Sequence, residues 1–221
     1  MVTALPVLRC TAGLMMSDIV IILSVMKHDD DPLRGALRRA ALVALALVGG
    51  TAAPSHAEEA GWAALRMPGT HAVMRHARAP GTSDPPGFRL GDCSTQRNLD
   101  EEGRQQARRI GDAFRANRIV VDVVLTSAWC RAAETAELLD LAPVTTEPAL
   151  NSFFSARAEE ERQTSRLVER LADLGQRKAV LVTHQVNVTA LTDIFPSSGE
   201  IVVVSVTPDG SVAVKGRIEI E

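Results

Sequence analysis

Past residue 70 the chain alternates short apolar runs with amphipathic segments, and this alternation limits the folds that it can adopt. Apolar runs at 71–75, 121–126 and 179–183 are each followed by a loop and then by a helical pattern. Such alternation predicts a parallel sheet covered by helices. The tail carries a Pro-Asp-Gly turn at 208–210 between two apolar runs, which predicts an antiparallel hairpin. We therefore expect an α/β three-layer sandwich with a mostly parallel central sheet, helices on both faces and a C-terminal antiparallel hairpin.

The helical segments have recognisable ends. Asp100 is a typical N-cap for a helix that runs to about Asn117, with apolar side chains at the spacing of one helix face. A second helix is expected at about 129–139, and a third from about 157 until Gly175 ends it. The apolar run after residue 178 is followed by a short helix that ends before Pro196, and a short strand is expected at 144–146.

The first 57 residues have the pattern of an export signal. Three arginines at 34–39 precede the apolar run 40–48, and Ser-His-Ala at 55–57 offers a small-residue cleavage site. This predicts a signal peptide within 1–57, a mature domain at 58–221, a periplasmic or secreted location, and no stable membrane anchor after cleavage. A start at Met26 would give a signal of conventional length. The alternative keeps Met1 and makes 14–25 a short membrane-associated segment, although about 20 apolar residues are needed to span a bilayer.

Composition argues against some classes of function. The formal net charge is −3 and only 3% of the residues are aromatic, whereas nucleic-acid binding relies on basic surfaces and stacking aromatics. We therefore expect no nucleic-acid partner. The sequence contains no cluster with metal-ligand spacing, so we expect neither a metal nor another cofactor. No pattern predicts an oligomeric state.

Two of the three cysteines, Cys93 and Cys130, lie in the part expected to be exported. An even pair in an oxidising compartment predicts one disulfide. That bond would pin the loop after the first strand beside Arg131. The alternative is two separate reduced thiols.

Polar side chains suited to phosphate lie at three predicted strand ends. Arg75 and His76 end the first strand, Arg131 starts the helix after the second, and His184 follows the strand at 179–183. Because ligands of open α/β sheets bind beyond the carboxyl ends of the strands, we expect these groups to converge. Convergent cations and a helix N-terminus suit an anion. A lone histidine at a strand end is usually structural, but this set of four predicts a phosphate site.

The motifs resemble those of the histidine phosphatase superfamily, which includes phosphoglycerate mutases and acid phosphatases. The resemblance covers roughly residues 70 to 195 and rests on four motifs in order, namely Val73-Met74-Arg75-His76, the helix start Leu99 to Ala107, Ser127 through Arg131-Ala132 to Thr135-Ala136, and Val182-Thr183-His184. It implies that His76 attacks phosphorus to form a phosphohistidine, while Arg75, Arg131 and His184 hold the phosphoryl oxygens. Ser127 would either bind phosphate or only shape its turn.

The chain departs from the family pattern where a proton donor is expected. Phosphomonoesterases and mutases of the family often carry a carboxylic acid where this chain reads Leu150-Asn151-Ser152, and another branch places an aspartate where this chain has Gln185. The candidates for the donor are then Asp84, Asp92, Glu147, water or the substrate itself. A general acid contributes about 10²–10⁴ in rate, so its absence favours good leaving groups, such as phosphoramidates and activated esters.

We therefore expect an exported, metal-independent phosphatase of the phosphoric monoester hydrolase class, which hydrolyses a small phosphorylated substrate, a phosphomonoester or a phosphoramidate, through a phosphohistidine on His76. The alternative is a noncatalytic phosphate-binding module on the same fold, which Ser152 and Gln185 keep open. A mutase is less favoured because no further basic residues for a bisphosphate are identifiable in the sequence.

Overall fold

Six strands form one mixed sheet in the order β3-β2-β4-β1-β5-β6. The computed structural model describes residues 56–220, and its strands are β1 (Thr70–Arg75), β2 (Val123–Thr126), β3 (Val144–Thr146), β4 (Ala179–Thr183), β5 (Ile201–Val206) and β6 (Val212–Ile218). The first four strands pair in parallel, whereas β5 and β6 run antiparallel and form the C-terminal hairpin. The expected mostly parallel sheet with an antiparallel hairpin is confirmed.

Helices cover both faces of this sheet. They are α1 (His56–Arg66), α2 (Glu101–Ala116), α3 (Cys130–Leu139), α4 (Glu160–Leu174) and α5 (Gln185–Thr192), with 3-10 turns at Cys93–Thr95, Pro148–Leu150 and Arg157–Glu159. Neighbouring strand residues point to opposite faces, so Met74 joins a core with α1, α2 and α3 while Val73 joins another with α4 and α5. The three-layer arrangement is therefore confirmed.

The helix α2 follows its sequence signals closely. The Asp100 side chain accepts a hydrogen bond from the Gly103 backbone N–H at 2.8 Å, which caps the helix as expected. The buried face contains the predicted apolar stripe, which includes Ile110 and Phe114. At Gly111 a Cβ would lie 2.1 Å from the Leu139 carbonyl oxygen, so only glycine allows α2 to approach the end of α3 this closely.

The helix α1 was not predicted, since the sequence analysis assigned no element between residues 58 and 70. Its Trp62 and Leu65 are buried, and the Trp62 ring packs edge-on against Phe114 with centroids 5.3 Å apart. A Cβ at Gly61 would lie 2.5 Å from the Arg217 carbonyl oxygen in β6. Helix α1 therefore packs against β6, which lies at the other end of the described sequence. A local sequence pattern does not reveal such a long-range contact.

The predicted signal peptide lies, apart from residues 56 and 57, outside the described residues. Within residues 56–220, no helix has the length and apolar character needed to cross a membrane.

Candidate active site

The register of the central strands brings the two predicted histidines together. Strand β1 pairs with β4 so that Arg75 lies opposite Thr183, and His76 and His184 each follow directly. Their ring centroids are 5.4 Å apart. On the other side of β4, the Ser127 backbone N–H donates to the Val182 carbonyl at 3.1 Å. The ends of three adjacent strands therefore bring these side chains to the same edge of the sheet.

Two contacts on opposite sides of the imidazole fix the tautomer of His76. Its Nδ1 lies 2.7 Å from the Ala77 carbonyl oxygen, which can only accept, so we assign the proton to Nδ1. Arg131 Nε donates to the opposite nitrogen, Nε2, at 3.1 Å. The side chain is only 2% exposed. Nε2 therefore carries a lone pair within a buried site.

Burial, followed by the charge of Arg131, lowers the pKa of His76 well below its ordinary value. The Ala77 carbonyl opposes this shift, whereas the charges of Arg97 and Arg75 add to it. Burial, rather than the neighbouring cations, is therefore the largest cause of the lowered pKa. The ring is thus uncharged at neutral pH, the state in which imidazole is a nucleophile.

Arg131 connects both histidines to Asp84. It is 4% exposed and lies in the first turn of α3. Nη1 and Nη2 donate to the two carboxylate oxygens of Asp84 at 2.7 and 3.3 Å, and Nη2 also lies 3.4 Å from Nδ1 of His184. The bidentate pair fixes the plane of the guanidinium, which in turn fixes its contact with His76.

His184 is oriented through Ser127. Because His184 Nδ1 faces the guanidinium of Arg131, we assign its proton to Nε2, which then donates to Ser127 Oγ at 2.8 Å. Ser127 is fully buried, and Asn151 Oδ1 lies 3.4 Å from its hydroxyl. The hydroxyl also accepts from the Trp129 backbone N–H at 3.2 Å, within the turn that precedes α3. Of the two roles left open for Ser127, the contacts favour shaping the turn, together with positioning His184, over binding phosphate directly.

The three candidate proton donors have different surroundings. Asp84 lines the pocket, but Asp92 is bound to Arg89 and Ser94 in an exposed turn. Glu147 caps a 3-10 turn and forms an ion pair with Arg170 at 3.0 Å. Asp92 and Glu147 are not among the residues that line the pocket, so the structure does not bring either of them to His76.

Asp84 itself is an acceptor rather than a donor in this arrangement. Burial raises the pKa of Asp84, but hydrogen bonds from the Arg97 backbone, from Arg131 and from Trp129 together outweigh it, so the pKa lies below its ordinary value. An ionised carboxylate with these partners has no proton to give at neutral pH.

A pocket of about 570 Å³ opens beside this cluster. Its polar lining includes Arg75, His76, Arg97, Arg131 and His184, and its aromatic lining consists of Phe88, Trp129 and Phe154. The rings of Phe88 and Trp129 stack with centroids 5.3 Å apart, while Phe154 is 50% exposed. The volume exceeds the needs of a phosphate alone and leaves room for a substrate's leaving group.

The loop between β1 and α2 is attached to α3 beside the pocket. Cys93 and Cys130 form the predicted disulfide, with Cα atoms 5.6 Å apart. The Gln96 side chain accepts from the Cys130 backbone N–H at 3.0 Å, which adds a second attachment. This loop brings Asp84 and Arg97 to the pocket.

Arg97 lines the pocket although the sequence analysis gave it no role. It follows no strand and belongs to none of the four motifs, so neither argument could identify it. The one available signal was its position four residues after Cys93, in a loop that the predicted disulfide would hold beside Arg131.

Comparison with known proteins agrees with the resemblance in the motifs. Residues 72–164 match the family model of the Histidine phosphatase superfamily (branch 1), a range that contains Arg75, His76 and Arg131. No curated protein matches the chain. The family match supports phosphatase activity.

Solved phosphatase structures share the fold. The protein histidine phosphatase SixA with tungstate is 17% identical, with a TM-score of 0.50 over 68% of this chain and 96% of that one. An Escherichia coli protein with the provisional name alpha-ribazole-5'-P phosphatase is 16% identical, with a TM-score of 0.53 over 68% and 96%. Phosphoserine phosphatase from Entamoeba histolytica, in complex with 3-phosphoglyceric acid, is 12% identical, with a TM-score of 0.50 over 69% and 98%. At these identities the likeness shows the fold.

Proposed function

Because residues 72–164 match the family model of the histidine phosphatase superfamily, we propose that this protein hydrolyses a phosphomonoester or a phosphoramidate through a phosphohistidine on His76. One observation carries the proposal: the lone pair of the buried, neutral His76 ring is on Nε2, the atom that Arg131 Nε contacts at 3.1 Å. A phosphoryl group that accepts the Arg131 Nε–H in place of the His76 ring would free this lone pair and bring phosphorus to it.

The reaction has two balanced steps. In the first, the Nε2 lone pair forms a bond to phosphorus while the bond from phosphorus to the leaving oxygen or nitrogen breaks, and the leaving atom takes up a proton. The proton stays on Nδ1, which donates to the Ala77 carbonyl, and this hydrogen bond stabilises the positive charge of the phosphorylated ring. In the second, water attacks phosphorus, gives up a proton, and releases phosphate and neutral His76. Arg75 and Arg131 offset the charge on the equatorial oxygens in both steps.

The surroundings of His76 favour substrates with good leaving groups. Ser152 and Gln185 line the pocket, and the one carboxylate among its described lining residues, Asp84, is ionised and paired with Arg131. The proton must then come from water or from the substrate. Phosphoramidates and activated esters fit this arrangement better than simple alkyl phosphates.

Export to an oxidising compartment belongs to the same proposal. The disulfide between Cys93 and Cys130 supports it, because such bonds persist in periplasmic and secreted proteins and are rare in the cytosol. The basic, apolar and small-residue pattern of residues 34–57 supports it independently.

A noncatalytic phosphate-binding module is the second candidate. The pairing of Asp84 with Arg131 favours it, since a pocket without a free acid can bind an anion without turning it over. Both candidates predict phosphate binding, but only the enzyme predicts a covalent adduct.

The test combines turnover with trapping of the intermediate. The purified protein is assayed with para-nitrophenyl phosphate from pH 4 to 8 and quenched in alkali, which preserves acid-labile phosphohistidine. We expect turnover and a trapped adduct, both lost in His76→Ala and both retained in Arg89→Gln, a change of an exposed loop residue that is paired with Asp92 and does not line the pocket. A folded protein that binds phosphate without turnover or adduct would instead be the binding module.

A further inference from the structure

Arg97 brings a third guanidinium to the pocket, from a loop rather than from a strand end. It lines the cavity together with Arg75 and Arg131. Its charge reaches the reacting ring, because Arg97 contributes to the lowered pKa of both His76 and His184. The side chain is half-buried, so this charge is only partly screened by solvent.

Contacts with backbone carbonyls satisfy only some of the hydrogen-bond donors of the Arg97 side chain. Nη1 donates to the carbonyl oxygens of Ala79 and Gly81, which holds the start of the loop. Nε, in contrast, is buried without a hydrogen-bond partner among the described residues, and so is Nε of Arg75. A buried N–H of a charged group that stays unpaired costs free energy. These two Nε atoms are closed to solvent, but Nη2 of Arg75 and Nη2 of Arg97 also donate to no described residue, so each arginine lining the pocket keeps a donor for an incoming ligand.

The positive charges of the pocket exceed its negative charge. Asp84 is the one carboxylate among the described lining residues, and it forms an ion pair with Arg131. Within residues 56–220, no ion pair joins Arg75 or Arg97 to a carboxylate. Burial, followed by repulsion from Arg131, lowers the pKa of Arg97 to about 10. Two uncompensated guanidinium groups beside two neutral histidines match the charge of a phosphoryl dianion.

Covalent attachment of the loop fixes Arg97 relative to Arg131. Cys130 immediately precedes Arg131 and is bonded to Cys93, four residues before Arg97. The Arg97 backbone N–H donates to Asp84 at 3.1 Å, and its carbonyl accepts from Arg131 Nη1 at 3.4 Å. The backbone of Arg97 is therefore held beside the Arg131 guanidinium before any ligand binds, which reduces the entropy lost on binding.

We infer that Arg97 is a third phosphate-binding arginine, which donates to the oxygens of the phosphoryl group alongside Arg75 and Arg131, and that the Cys93–Cys130 disulfide holds it in place. The inference rests on the proposed function only in taking this pocket as the phosphate site. It adds a binding residue that belongs to none of the ordered motifs.

The experiment measures the dissociation constants of tungstate and inorganic phosphate by calorimetry in Arg97→Gln, Arg97→Lys and Arg89→Gln. Arg89 is the matched control, because it lies in the same loop but is exposed and paired with Asp92 away from the pocket. We expect Arg97→Gln to weaken binding about 10- to 100-fold, the loss of a charge-assisted hydrogen bond, and Arg97→Lys to recover part of it. Arg89→Gln should bind like the wild type.

The melting temperature without ligand separates phosphate binding from a purely structural role. If Arg97 binds phosphate, Arg97→Gln should change that temperature little, because relief of the repulsion among three arginines offsets the lost bonds to Ala79 and Gly81, while the affinity for the anion falls. An affinity within twofold of the wild type would overturn the inference. An equal loss of affinity in Arg97→Gln and Arg97→Lys, with a lower melting temperature in both, would also overturn it. That result would show that Arg97 only holds the loop in place.

The same measurements distinguish this inference from the proposed function. If the wild type shows neither turnover nor adduct but Arg97→Gln binds tungstate more weakly, catalysis is wrong and the role of Arg97 stands. If the wild type is active and Arg97→Gln binds tungstate normally, the proposed catalysis stands and the inference about Arg97 is wrong.

Discussion

The carboxylate of Asp84 accepts four hydrogen bonds before any substrate binds, two from Arg131 and one each from Trp129 and the Arg97 backbone. From the sequence alone, Asp84 was one of three equivalent candidates for a proton donor. The structure distinguishes them, since only Asp84 reaches the pocket and its partners favour the ionised form. The role of a carboxyl group thus depends on its partners, which a linear pattern does not show.

Asp84→Asn tests that interpretation. The change removes a partly buried ion pair, so the free energy of unfolding should fall by about 1–3 kcal/mol in urea titrations. Since Asp84 has no proton to give, kcat/KM should fall less than tenfold for para-nitrophenyl phosphate and for an alkyl phosphate alike. A loss of 100-fold or more confined to the alkyl phosphate would instead identify Asp84 as the general acid.

The sequence could locate only those site residues whose position follows from the order of the strands. His76, Arg131 and His184 were predictable because each follows a buried strand, and parallel strands end at one edge of the sheet. Arg97 was not, because its position depends on the path of a loop. That path is determined by a disulfide and by the hydrogen bond between Gln96 and Cys130, neither of which has a periodic signal.

At the scale of elements, the loop between β1 and α2 depends on one covalent bond. Cys93 and Cys130 are separated by 37 residues in sequence. The turns at its tip are local, with Asp92 capping Cys93–Thr95, whereas its attachment to α3 is not. Loss of the bond should therefore affect the pocket as well as stability.

The paired change Cys93→Ser and Cys130→Ser tests this dependence. Opening a closed loop of this length should lower the free energy of unfolding by about 3–4 kcal/mol, from the added entropy of the unfolded chain. Phosphate affinity should fall as well, because Arg97 loses its attachment. Chemical denaturation and calorimetry are compared with and without reductant, and the double variant serves as the control that reductant should not change. Unaltered phosphate affinity in the double variant would show that the remaining hydrogen bonds suffice to hold the loop.

At the scale of the molecule, the three buried histidines among residues 56–220 make stability depend on pH. His71, His76 and His184 are each at most 3% exposed, and burial is the largest cause of the lowered pKa of all three. The pKa of His71 falls to about 4, with the charge of Lys178 as the second cause. Their unfolded-state pKa is about 6.5. Folding therefore excludes protons that the unfolded chain binds in acid.

The contribution of these neutral histidines to the free energy of unfolding is fully present above about pH 6.5 and is lost as the pH falls toward 4. His71 alone should account for at most about 3 kcal/mol of that loss. Unfolding midpoints in urea between pH 4 and 8 measure it, and His71→Gln should flatten the profile without moving the pocket residues. A His71→Gln profile as steep as that of the wild type would show that His71 does not remain neutral.

The overall architecture was predictable because the alternation of strands and helices, the cap at Asp100 and the turn at 208–210 are local signals. Helix α1 was not predictable, because Trp62 is buried by residues far along the chain rather than by its neighbours in sequence. The sequence pattern therefore missed the features that depend on long-range packing, both in the fold and in the site.

The pairing of Arg75 with Thr183 has a consequence for how such a protein can diversify. The distance between the two histidines depends on a ladder of backbone hydrogen bonds, whereas the pocket walls come mainly from residues 82–97 and 152–156. Insertions and exchanges in those two segments leave the ladder intact. New substrate preferences can therefore arise there by exchanges that keep Asp84, Cys93 and Arg97, while the spacing of the two histidines is inherited unchanged.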